Sequence, residues 1–214
     1  MKKLSLISAV LCAILSTSAA SAKDGFYAGA DLVISNAKYK YHDKKGWEHS
    51  NPVGKVDGNG VGASIAGGYK KSFDQVFIAP EIFYDYLNSS TKDYYHTIAP
   101  YQQDSLEIRA RYGAKANLGY DFGNKISTYL TAGLANVNYV NRWPSSGDSE
   151  SQSILTPIYG LGALFQINDS WAVKAEFNQQ KFHTRHSIDS SVNYTTVISK
   201  VTLNVLKTGL VYSF

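Results

Sequence analysis

Lys200-Val201-Thr202-Leu203-Asn204-Val205-Leu206-Lys207-Thr208-Gly209-Leu210-Val211-Tyr212-Ser213-Phe214 closes the chain. Side chains two apart share a face of a strand, so Leu206, Thr208, Leu210, Tyr212 and Phe214 stand together, with Val205, Lys207, Gly209, Val211 and Ser213 opposite. The first face is apolar and ends in aromatics. A last strand of this kind with an unpaired edge invites pairing with other chains, and closing the sheet into a barrel removes the edge. The stretch therefore predicts the closing strand of a β-barrel.

Seven further stretches read as strands, and no segment keeps a helical period over three turns. They run from about Gly25 to Tyr41, Gly60 to Lys71, Gln75 to Leu87, Asp104 to Phe122, Lys125 to Asn141, Ser153 to Ile167 and Trp171 to Phe182. The fourth alternates most regularly: Leu106, Ile108, Ala110, Tyr112, Ala114, Ala116, Leu118 and Tyr120 interleave with Glu107, Arg109, Arg111, Gly113, Lys115, Asn117 and Gly119. In the fifth, Ile126, Thr128, Leu130, Ala132 and Leu134 share one parity, while Val137 and Tyr139 carry the other, which predicts a bulge near Asn136. Pro80 in the third removes a ladder donor and is expected at a bulge or where the register leaves that nitrogen unpaired.

Connections alternate in length. Lys71 to Asp74, Gly123-Asn124-Lys125 and Asn168-Asp169-Ser170 are tight turns, whereas about His42 to Asn59, Asn88 to Gln103, Arg142 to Gln152 and His183 to Ser199 read as long loops. Short turns on one rim and long loops on the other are the pattern of transmembrane barrels, with the turns in the periplasm. The expected fold is an all-β, eight-stranded antiparallel transmembrane β-barrel with three short periplasmic turns and four long extracellular loops.

Met1-Lys2-Lys3, an apolar run from Leu4 to Leu15 and small residues up to Ala22 read as a cleaved signal peptide, residues 1–22, with residues 23–214 forming a single barrel domain. An N-terminal anchor is the other reading, but the run falls short of the roughly 20 residues a membrane helix needs. Cys12 leaves with the leader, so the exported part has neither disulfides nor thiolate chemistry. Without Lys2 and Lys3 there remain 19 basic and 17 acidic residues, too even a balance for a nucleic-acid partner. Sixteen Tyr against one Met and five Pro favour strands and interfaces.

Lys207, Gly209, Tyr212 and Phe214 resemble the C-terminal signal of bacterial outer-membrane barrels, which implies that the assembly machinery engages Tyr212 and Phe214. Gly25-Phe26-Tyr27-Ala28-Gly29-Ala30-Asp31-Leu32, Ala116-Asn117-Leu118-Gly119-Tyr120-Asp121-Phe122 and Tyr129-Leu130-Thr131-Ala132-Gly133-Leu134 resemble the small eight-stranded OmpA-like and opacity-type surface antigens, surface adhesins of rickettsial outer membranes among them. That resemblance spans residues 23–214 and implies an outer-membrane location, contact with outer-membrane lipids and loops that bind host-cell, matrix or serum proteins such as vitronectin-type ligands. It does not specify what the loops bind.

On the assigned parities the inward faces carry Asp31, Glu81, Asp85, Glu107 and Glu176 against Arg109, Arg111, Lys115, Lys174 and Lys207. An eight-stranded barrel is just wide enough for its own side chains, so this balance predicts a salt-bridged, filled lumen, with an ion path or a catalytic carboxylate pair as the other reading. The histidines, His42, His49, His96, His183 and His186, fall in or beside the long connections. His183-Thr184-Arg185-His186-Ser187 lacks the Ser-Asn-Ala-Gly continuation of barrel lipid A deacylases, and neither a metal site, a cofactor nor catalysis is expected. Gly58-Asn59-Gly60-Val61-Gly62 precedes a strand, not a helix, and so does not read as a phosphate cradle.

For ligand binding the candidates are Lys44, Lys45 and Trp47 in the first loop, Arg142 and Trp143 in the third, and Arg185, His186 and Tyr194 in the fourth. Aromatic and arginine side chains supply the contact area and charge-assisted bonds of recognition surfaces. An adhesin is the first reading. A structural barrel without a specific ligand and a lipid-modifying enzyme are the alternatives.

Overall fold

The computed structural model describes residues 24–44, 55–95, 102–123, 125–143, 148–190 and 193–214. The expected signal peptide lies outside the described residues, as do Lys45 and Trp47. Eight strands, β1 (Gly25–Lys44), β2 (Lys55–Phe73), β3 (Val76–Tyr95), β4 (Gln102–Asp121), β5 (Ile126–Trp143), β6 (Asp148–Gln166), β7 (Trp171–Ser190) and β8 (Asn193–Ser213), pair in chain order. β1 then pairs with β8 from Tyr27↔Ser213 to Lys44↔Thr196, closing the barrel. Gly209 fits this seam because it has no side chain: a Cβ there would sit 2.0 Å from the Ala30 carbonyl oxygen.

The turns are tight at one rim, as expected. Asp74, at φ 59°, bends the chain between β2 and β3, and Gly123 and Lys125, at φ 82° and 63°, do so between β4 and β5. Between β6 and β7 the Asn168 carbonyl Oδ1 accepts hydrogen bonds from the Ser170 and Trp171 N–H groups at 3.0 and 2.9 Å. At the other rim the strands run further than the sequence predicts. β3 reaches Tyr95, not Leu87, β7 reaches Ser190, not Phe182, and β8 starts at Asn193, not Lys200. Most of the expected long loops is therefore strand, because a ladder satisfies backbone groups whatever the side chains do, and only the apolar-polar alternation fades.

Around the outside runs a belt of exposed apolar side chains, among them Phe26, Leu32, Val61, Ile82, Leu130 and Leu161. Tyr69, Tyr120, Phe122, Trp171, Tyr212 and Phe214 ring it near the turns, and Tyr84, Tyr86, Tyr112 and Tyr159 ring it at the other border. These are the two aromatic girdles of a membrane-spanning barrel. Beyond the upper girdle the polarity inverts. Val33, Ala37, Tyr39, Leu87, Leu106, Ile108, Val137, Tyr139, Phe182, Val201, Leu203 and Val205 point inward and form one buried apolar cluster, while Asn59, Ser90, Lys181 and His183 are exposed.

That inversion corrects the bulge predicted near Asn136. β5 takes in no extra residue at Asn136: Tyr129, Thr131, Ala135, Val137 and Tyr139 are all buried, Val140 of the other parity joins them only further on, and the strand's pairing to β6 runs unbroken from Ile126↔Phe165 to Trp143↔Asp148. Its apolar face changes sides because the surroundings change from lipid to water. The irregularities lie in β3, between Tyr86 and Ser89 with Asn88 at φ 43°, and in β4, between Ile108 and Ala110. Pro80 occupies the second situation foreseen for it: the β2–β3 pairing passes from Gly68↔Glu81 to Lys71↔Ile78 without a register shift, leaving Pro80 unpaired on that side.

Candidate functional site

Inside the membrane-spanning part, β1, β3, β4, β7 and β8 each aim charged side chains at the axis. Asp85 Oδ2 accepts from Arg111 Nε at 2.6 Å and Asp85 Oδ1 from Lys207 Nζ at 2.6 Å. Lys207 also reaches Ser64 Oγ, at 3.3 Å. Lys115 Nζ bridges Glu81, at 3.1 Å, and Glu176, and Lys174 pairs with Asp31 at 2.8 Å. Neutral donors complete the carboxylates: Tyr27 donates to Glu81 at 2.9 Å, and Tyr129 and Asn178 donate to Glu176, each at 2.7 Å. All eight charged groups are buried, four of each sign.

Glu107 and Arg109 are corrections to the expected lumen set. The irregularity between Ile108 and Ala110 shifts the parity of β4, so Leu106, Ile108 and Ala110 are buried instead. Arg109 is half-exposed and pairs with the partly buried Glu107 at 3.4 Å, which removes one charge of each sign and leaves the interior balance intact. Sequence reasoning omitted a further buried pair nearer the turns, Lys70 with Asp121 at 2.9 Å, although both residues carry the inward parity of their strands. Phe77, Ala79 and Tyr129 pack beside it, around a cavity of about 60 Å³ that Tyr27, Lys174 and Trp171 also line.

Close packing governs this interior. The Tyr129 ring lies on Gly162, where a Cβ would come within 2.3 Å of the ring, so the glycine is what lets the phenol reach Glu176. Among the described residues no group of three or more His, Cys, Asp or Glu is arranged to hold a metal.

Of the recognition candidates, six sit on strand extensions, not in loops. Lys44 ends β1 opposite Thr196; Arg142 and Trp143 end β5 opposite Ser149 and Asp148. Arg185 and His186 of β7 lie opposite Ile198 and Val197, and Tyr194 of β8 lies opposite Asp189. The register thus gathers Lys44, Arg185, His186 and Tyr194 on the contiguous sheet β7–β8–β1 and leaves Arg142 and Trp143 on β5 as a separate group. His42 is in β1 opposite Ile198, and His183 is in β7; His49 and His96 lie outside the described residues.

The 31 kDa outer-membrane immunogenic protein of Brucella melitensis is 24% identical over 203 residues, covering 89% of this chain and 83% of that one. The crystal structure of OprG from Pseudomonas aeruginosa superposes with a TM-score of 0.58 at 13% identity, over 92% of this chain and 99% of that one. Neisserial surface protein A gives 0.54 at 19% identity, over 89% and 97%. Both solved proteins share the fold. Residues 5–214 match the family model of the outer membrane protein β-barrel domain, and with its closed eight-stranded wall, lipid-facing belt and charged interior the chain belongs to that family and resides in the outer membrane.

Proposed function

We propose that the protein is a surface adhesin whose outer rim binds host-cell, matrix or serum proteins, vitronectin-type ligands among them. The observation that carries this reading is the inverted polarity above the upper girdle. A strand of 20 residues such as β1, at about 3.3 Å each and tilted about 45°, rises roughly 45 Å, against an apolar band of about 25 Å. The excess has its own apolar interior and a polar exterior, as a rigid platform for protein contacts requires. Lys44, Lys45, Trp47, Arg142, Trp143, Arg185, His186 and Tyr194 belong to this platform in the proposal, and the Brucella relative's description as immunogenic accords with exposure to a host.

The proposal is of a binding protein and not an enzyme, because the carboxylates of the interior are engaged with buried cations. Export through the leader of residues 1–22 and delivery of Tyr212 and Phe214 to the barrel-assembly machinery are parts of the same proposal. Replacing Lys44, Lys45, Trp47, Arg142, Trp143, Arg185, His186 and Tyr194 together by serine should leave the sheet signal unchanged and weaken capture of host surface and serum proteins. Raised salt should remove the share that Lys and Arg contribute. Undiminished capture would instead favour a structural barrel without a specific ligand.

A further inference from the structure

β6 and β7 pair from Gln166↔Ala172 up to Ile158↔Gln180 and then part. Both continue as strands, β6 to Asp148 and β7 to Ser190, each still paired on its far side, to β5 as far as Trp143↔Asp148 and to β8 as far as Ser190↔Asn193. Among the described residues, then, 148–157 and 181–190 face each other with no strand paired to those edges. Pro157 stands at the first missing position, opposite Lys181. The β5 ladder passes Pro157 without interruption, so the N–H that proline lacks is one that would have pointed to β7. The parting begins just beyond Tyr159 of the upper girdle, where Leu155 of β6 and Lys181 of β7 are exposed.

We infer that this slot receives an extended segment of a partner protein, which adds to the wall as a further strand and alternates apolar with acidic side chains. An unpaired edge is a template for such addition, and here two edges converge on one segment. Where the slot opens its inner side is apolar: Phe182 belongs to the outer cluster, and Ile154 packs against that cluster half-buried. On the outer side Lys181 and His183 of β7 are exposed, and β6 exposes Leu155 and then the small Ser153 and Ser151, whereas Glu150 further along has the parity of Ile154. Apolar side chains would thus turn inward and carboxylates outward towards Lys181. The inference rests on the adhesin reading and names the contact by which a partner is held.

The probe is a blocked ten-residue peptide of alternating valine and glutamate, titrated by fluorescence anisotropy into the refolded protein in detergent. Saturable binding is expected, weakened at least tenfold when alternate peptide nitrogens are methylated, since the side chains then remain and the ladder donors do not. Residues two apart share an edge, so the S151P/S153P variant removes further donors from the slot side of β6. It should lose the peptide at least tenfold while keeping the parent's gel shift on boiling. No binding by the parent, or equal binding of the methylated peptide, overturns the inference. So does a parent that sediments as a dimer and becomes monomeric in S151P/S153P, because a second copy then fills the edges. If either result came with intact capture of host proteins, the slot would fall and the adhesin reading would stand.

Discussion

Asp85 on β3 and Lys207 on β8 meet at 2.6 Å across the lumen, joining residues 122 apart in the chain. Asp85 also holds Arg111, so a single carboxylate is shared by two cations that are fully buried. Removing one partner of a buried pair leaves uncompensated charge, at a cost of about 3–5 kcal/mol. Asp85→Ala should lower the stability of the folded barrel by that order in urea unfolding from lipid vesicles. Glu150→Ala, at an exposed site, should stay within about 0.5 kcal/mol of the parent.

Gly162→Val tests the packing under Tyr129. The new side chain would collide with the ring and push the hydroxyl away from Glu176, whereas Tyr129→Phe removes only the hydrogen bond. The valine variant should be the more destabilised by more than about 1 kcal/mol, the usual order for overpacking. Equal losses would mean that the ring moves aside at no cost.

Arg111, Lys207 and Glu176 fill the lumen with no exposed surface to speak of, and the apolar cluster lies above them. Planar-bilayer recordings should show no conductance of general-porin size, because eight strands enclose little more than their own side chains. Steady large openings would contradict both the strand count and the interior described above.

At the turn rim, Asp24 accepts from Lys71 Nζ and from the Ser72 N–H, both at 2.7 Å, and the lysine's hydrogen bond, then the N–H, lower its carboxyl pKa to about 2. A depressed carboxyl stabilises above its unfolded value near 4, and that contribution disappears as the pH falls towards 2. The start of β1 should therefore loosen only in strong acid. A carboxyl titration by NMR should place Asp24 near 2, and Lys71→Ala should raise it towards the ordinary range.

The alternation of the last strand was enough to predict closure, and Tyr212, Phe214 and Gly209 lie where that reading put them. What stayed hidden followed from the inverted polarity. In β5 the change from lipid to water moved the apolar residues to the other face and imitated a bulge. In β4 a real shift of parity at Arg109 coincided with the same inversion, so the two effects cancelled and the segment read as perfectly regular. For that reason the sequence alone puts Glu107 and Arg109 in the lumen. Lys44, Arg142 and Tyr194 read as loop residues in the sequence because backbone pairing that continues into water leaves no signature in the side chains.

The apolar cluster from Val33 to Val205 has one more consequence, for how the outer part is seen by other molecules. Lipid does not hold that part together; its own interior does. Its contours are then set independently of whatever surrounds the lower belt, whether native lipid, a synthetic bilayer or detergent. An antiserum raised against the solubilised protein accordingly meets the same backbone-supported relief that intact cells display.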